Sequence, residues 1–141
     1  MIWVVLIILG LVAIFIISNL RNDGKDLRSL QGKSLQQNFP ELFDVLNNQV
    51  FKGEGKVNYM EKMTCSLYKD GENQIIIFTY FSGHLGITWK YKYFHKEVVH
   101  EKVFYDALCS NNLEQRNFAD KLINEMYVVI QRHKQNVSIN M

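Results

Sequence analysis

The sequence predicts an α+β fold: an N-terminal transmembrane helix, then a small domain in which a four-stranded antiparallel meander is flanked by an N-terminal and a long C-terminal helix. Three observations predict it. A continuous apolar run opens the chain, the middle alternates with a period of two, and helical spacing returns on either side of that middle.

The apolar run is IWVVLIILGLVAIFIIS, Ile2 to Ser18, interrupted only by Gly10. About 17 residues at 1.5 Å rise reach roughly 26 Å, near the lower limit for a hydrocarbon core of about 30 Å, and Leu20 extends the run. A surface helix of a soluble domain keeps a polar side, and this one has none. A cleaved signal peptide fits poorly, because no Lys or Arg precedes the run and Ile16, Ile17, Ser18, Asn19 offer no small-x-small cleavage site. The expectation is an uncleaved single-pass anchor over residues 1–20, with Trp3 in the headgroup belt and Gly10 and Phe15 inside it. Membrane lipid is then the first partner. Arg21, Lys25, Arg28 and Lys33 follow closely, and the positive-inside bias places the domain in the cytoplasm, with a periplasmic domain as the alternative.

Residues 21–37 read as a polar juxtamembrane linker, in which Leu27, Leu30 and Leu35 make only a weak stripe broken by Gly32. The globular domain is expected over 38–136. Pro40 opens its first helix, since proline suits a first turn and Glu41 complements the helix dipole. Leu42, Phe43, Leu46 and Val50 form the apolar face, and Gly53 and Gly55 end it.

Val57 to Tyr68 reads as one half-buried strand, with Met63, Cys65 and Leu67 on one face and Thr64 and Ser66 on the other. Asp70-Gly71 marks a tight turn. Gln74 to Ser82 is apolar on both faces through Ile75, Ile76, Ile77 and Phe78, the signature of a central strand. Leu85 to His95 alternates most cleanly, with Leu85, Ile87, Trp89, Tyr91 and Tyr93 facing the core. His95, Lys96 and Glu97 form a connection to an edge strand ending near Tyr105. Short connections favour antiparallel neighbours in chain order.

Asn111 with Glu114 resembles a capping box, and Phe118, Ala119, Leu122, Ile123, Met126, Tyr127 and Ile130 recur at helical spacing, predicting a helix over 112–134. Residues 137–141 read as a loose tail.

Composition narrows the function. Sixteen Lys and Arg against fourteen Asp and Glu, interspersed, exclude a polybasic nucleic-acid binder, so no nucleic-acid partner is expected. Cys65 and Cys109 lack CxxC spacing and read as free thiols. His84, His95, His100 and His133 form no metal-ligand pair, and Gly53, Gly55, Gly83 and Gly86 form no phosphate loop, so neither metal nor cofactor is expected. Cys109, just before a helix start, is the candidate nucleophile if the protein is a small enzyme. Lys90, Lys92 and Lys102 form a candidate basic face, read as solvated or as touching anionic headgroups. If helices cover one sheet face only, Ile76, Phe78 and Tyr80 lie on the other as a candidate interface for a protein partner or a second copy.

These features lead to a non-catalytic, membrane-anchored module that recruits or holds a protein at the membrane. An immunity protein neutralising a toxin at the membrane is the alternative, and a cysteine enzyme the third reading.

Overall fold

A computed structural model describes residues 2–30, 32–61 and 63–140, with the backbone alone for 18–29. Helix α1 spans Ile2–Ser29, so the segment expected as a linker begins as a continuation of the apolar helix. A short helix α2, Leu35–Asn38, follows, and Ser34 and Gln37 cap it reciprocally: Ser34 Oγ accepts from Gln37 N at 3.1 Å while Gln37 Oε1 accepts from Ser34 N at 2.9 Å. Asn38 Nδ2 donates to the carbonyls of Leu30, Lys33 and Ser34, which ties the end of α1 to the start of the domain.

Helix α3, Pro40–Val50, carries Pro40 in its first turn and buries Leu42, Phe43 and Leu46. It closes through Gly53 N donating to Asn47 O at 3.0 Å. Gly55 N then donates to Asn47 Oδ1 at 2.7 Å, and a Cβ on Gly55 would lie 2.5 Å from that same oxygen, so only glycine allows the approach.

The sheet has five strands, not four, in the order β1-β2-β3-β4-β5: Lys56–Glu61, Thr64–Tyr68, Gln74–Phe81, His84–Tyr93 and Lys96–Phe104, all antiparallel. The segment expected as one strand reverses between Glu61 and Thr64, which pair, and a bulge lies between Tyr59 and Glu61. Alternation of side chains is the same on the two arms of a hairpin, so periodicity alone does not register the reversal. A bulge on the exposed edge strand β1 also discourages pairing with another chain.

Two hairpins turn on left-handed pairs. Ser82 and Gly83 have φ of 50° and 81°, and Phe94 and His95 have φ of 49° and 61°. Both connect strands whose flanking residues pair, Phe81 with His84 and Tyr93 with Lys96, the geometry that suits the twist of two-residue hairpins. The connection expected at His95–Glu97 therefore lies at Phe94-His95.

After a 3₁₀ turn, Ala107–Cys109, helix α4 runs Asn112–Ile139. Asn111 Oδ1 accepts from Glu114 N at 2.8 Å as its cap. Val137, inside the expected loose tail, is buried near the end of α4.

Helices α3 and α4 cover one face of the sheet. Phe43 of α3 stacks on Phe78 of β3 at 4.3 Å between ring centres, and Phe118 of α4 stacks on Phe104 of β5 at 4.4 Å. The pairings Cys65 with Phe78, Leu67 with Ile76, Tyr80 with Leu85 and Ile87 with Phe78 put these residues on that covered face. The core also takes in Leu30 and Leu35, ahead of the expected domain boundary at 38.

Candidate functional site

Antiparallel partners point to the same side of a sheet. The register therefore sorts every strand residue. Ile76, Phe78 and Tyr80 fall on the helix-covered face and are buried at 0%, 0% and 2% exposure, so they are core and not interface. The reason is parity: β3 is apolar on both faces, and only the docking of α3 and α4 selects which of its two rows becomes the core. The row left outside is Ile75, Ile77, Thr79 and Phe81.

This open face is laid out in ladder rows. One row is Tyr68, Ile75, Lys90 and Val99; another is Thr64, Thr79, Gly86 and Val103. At one end stands an aromatic group. The ring of His84 meets Phe81 edge-on at 5.9 Å and Tyr105 at 5.0 Å, with Phe81 40% and Tyr105 71% exposed. His84 is held there because its Nδ1 accepts from Asp106 N at 3.0 Å. A Cβ on Gly86 would come within 3.1 Å of the Phe81 ring, so this glycine lets the ring lie against the sheet.

Two concavities flank the apolar strip. One, of about 270 Å³, lies beside Phe81, Gly86, Thr88 and Val103. The other, of about 400 Å³, lies at the opposite end, between the β2–β3 turn and the strand residues Tyr68, Ile75, Lys90 and Lys92.

The expected basic face divides between the two sides. Lys90 and Lys92 are on the open face, whereas Lys102 pairs with Ile87 on the covered one. There, Lys102 Nζ lies 3.2 Å from Glu125 Oε1 on α4, and His100 Nε2 lies 3.0 Å from Glu125 Oε2. Burial pushes the Glu125 carboxyl up, but the hydrogen bonds from His100 and Lys102 outweigh it and hold the group below its ordinary value. This triad clamps α4 onto β5. A second clamp joins His133 Nε2 to the Lys96 carbonyl at 2.8 Å, and Lys134 Nζ lies 5.9 Å and 5.6 Å from the ring centres of Tyr91 and Tyr93.

His84, His100 and His133 thus sit in three separate structural contacts and His95 lies exposed in the β4–β5 turn, and among the described residues no group of His, Cys, Asp and Glu could hold a metal ion. Both cysteines are free. Cys65 is buried on β2, and desolvation pushes its thiol up to about 12, which removes it as a nucleophile near neutral pH. Cys109 is exposed in the 3₁₀ turn.

Trp3, Gly10 and Phe15 lie on α1, where every described side chain from Ile2 to Ile17 is exposed. Among the described residues no helix is long and apolar enough to cross a membrane. The apolar side chains described on α1 cover Ile2 to Ile17, about 24 Å of helix at 1.5 Å per residue.

Sequence reasoning missed Gln115, a buried polar residue that joins α4 to α3, and Glu125. Their signal was a polar residue on an otherwise apolar helical stripe, which carries no address for its partner. No protein-family model matches the chain, and neither a characterised protein nor a solved structure matches it.

Proposed function

We propose that this protein is a single-pass, membrane-tethered binding module that holds a protein partner at the cytoplasmic side of a membrane without catalysing a reaction on it. The observation that carries the reading is α1. Trp3 is 78% exposed, Leu9 61% and Phe15 68%, so the described side chains of α1, Ile2 to Ile17, contribute nothing to the domain core and leave an apolar cylinder in need of a non-aqueous environment. Each such side chain is worth about 1.5–3 kcal/mol on leaving water, and lipid supplies that transfer for all faces at once.

The helical backbone continues past Ile17 to Ser29, and in the sequence the apolar Leu20 follows the run. Arg21, Lys25, Arg28 and Lys33 then favour retention of the domain in the cytoplasm. The unbonded cysteines suit a reducing compartment. The apolar open face of the sheet is the surface that a partner would cover.

The test is topology and extraction together. Alkaline phosphatase and a fluorescent protein are fused in turn to the C-terminus, and membranes are washed with alkaline carbonate. Fluorescence without phosphatase activity, with the protein retained in the membrane pellet, is the expected result. Leu9→Asp places a carboxylate mid-helix at an insertion cost of about 3 kcal/mol and shifts protein to the soluble fraction. Release of the unaltered chain by carbonate would refute the anchor, and phosphatase activity would refute the cytoplasmic side.

A further inference from the structure

The geometry points to the end of the open face around Lys90 as the seat of the partner, and to an acidic partner segment that presents carboxylates beside an apolar side chain. This rests on the proposed binding role and names the chemistry of what is bound. The concavity of about 400 Å³ carries three lysines, Lys69, Lys90 and Lys92, and three carboxylates, Asp70, Glu72 and Glu97, on its walls. Lys69 is engaged by Glu54 at 2.7 Å and by Glu72 at 3.8 Å. Asp70 is engaged by Lys56 at 2.5 Å. That leaves Lys90, Lys92 and Glu97, none of which has an ion-pair partner among the described residues.

Glu97 stands opposite Lys92 across the β4–β5 ladder, so its field falls first on Lys92. Lys90 stands between Ile75 and Val99, with Tyr68 one strand further. Lys90 is half-buried, with the apolar residues Ile75 and Val99 beside it on the ladder, and a carboxylate is attracted to a charge beside apolar surface more strongly than in open water. The floor offered by Tyr68, Ile75 and Val99 suits an apolar side chain next to that carboxylate, and Lys92 can meet a second one. A bare anion would leave this floor uncovered, and a purely apolar segment would desolvate two lysines without compensation.

The experiment uses the full chain in cells that naturally make it. A photo-crosslinking amino acid replaces Val99, which leaves both lysines in place, and a second version carries it at Tyr127, exposed on α4. Crosslinked peptides are then sequenced by mass spectrometry. The expected result is a protein peptide from Val99 that contains Asp or Glu beside an apolar residue. In the same version, Lys90→Glu with Lys92→Glu lowers the yield about tenfold or more, the scale of losing one or two charge-assisted contacts. Lys90→Met with Lys92→Met gives a smaller loss, and protection of Cys65 from alkylation verifies that each variant is folded.

A crosslink to lipid, to a second copy of the chain, or to a peptide without carboxylates overturns the inference, as does a yield unchanged in the folded charge-reversal variant. Protein crosslinks from Tyr127 with none from Val99 would overturn the inference and leave the binding role standing. No protein crosslink from either position would remove both.

Discussion

Gln115 of α4 reaches across to α3, where its Oε1 lies 3.2 Å from the backbone nitrogen of Glu41 and accepts that N–H. The same oxygen accepts from Leu42 N at 3.4 Å, and Gln115 Nε2 donates to Asn38 O at 3.4 Å. A helix start leaves its first N–H groups without intrahelical partners, and α3 has no side-chain cap of its own at Phe39. Gln115 supplies that cap from 74 residues away, while only 3% exposed.

Replacing Gln115 with Leu preserves approximate volume and removes all three hydrogen bonds. The buried N–H of Leu42 and the part-buried N–H of Glu41 then lose their acceptor, at a cost of about 1–3 kcal/mol. Thermal unfolding of the full chain in detergent should show a lower midpoint for Gln115→Leu, whereas Gln135→Leu, at an exposed position of α4, should leave it within a degree or two of the parent. Equal midpoints would mean that water caps α3 as well as Gln115 does.

The clamp at Glu125 has a pH signature. Its carboxyl is held below the ordinary value of 4.5 in the folded chain, so the unfolded chain takes up the proton first. The stability from this group is therefore present above pH 4.5 and is lost as the pH falls through the lowered folded value. Glu125→Gln should remove that part of the acid dependence and reduce stability at neutral pH by a fraction of a kcal/mol, as expected for charges that still meet water. Unfolding midpoints recorded from pH 7 down to pH 3 for both proteins measure the difference; parallel curves would show that Glu125 carries none of the acid dependence.

The cysteines should separate cleanly under alkylation. Iodoacetamide at pH 8 should modify Cys109 in the native protein and spare Cys65, whose thiol is buried and pushed up to about 12. Denaturant should expose both. Mass spectrometry of the peptides reads the result, and rapid native labelling of Cys65 would show that β2 is not the buried strand described.

Much of the fold was legible because its signals are local. The proline and glycines around α3, the Asn111 cap of α4 and the clean alternation of Leu85 to Tyr93 each express a preference of a few adjacent residues, and each element lies where those residues place it. The turn at Phe94-His95 was not legible in the same way, because Phe and His are not residues that announce a left-handed turn. The candidate site was harder still. β3 carries apolar residues at both parities, so a choice between Ile76, Phe78, Tyr80 and Ile75, Ile77, Phe81 cannot be made from β3 alone.

By itself the sequence determined an apolar N-terminal helix, an α+β domain, and most of the positions where helices and strands begin and end. The tertiary structure decided which row of β3 is core, that Lys102 leaves Lys90 and Lys92 to join Glu125, and that Gln115 caps α3. The physical reason is range. Periodicity is set by neighbours along the chain, but a one-residue change of register exchanges the two faces of a strand, and only the packing of α3 and α4 onto the sheet selects between them.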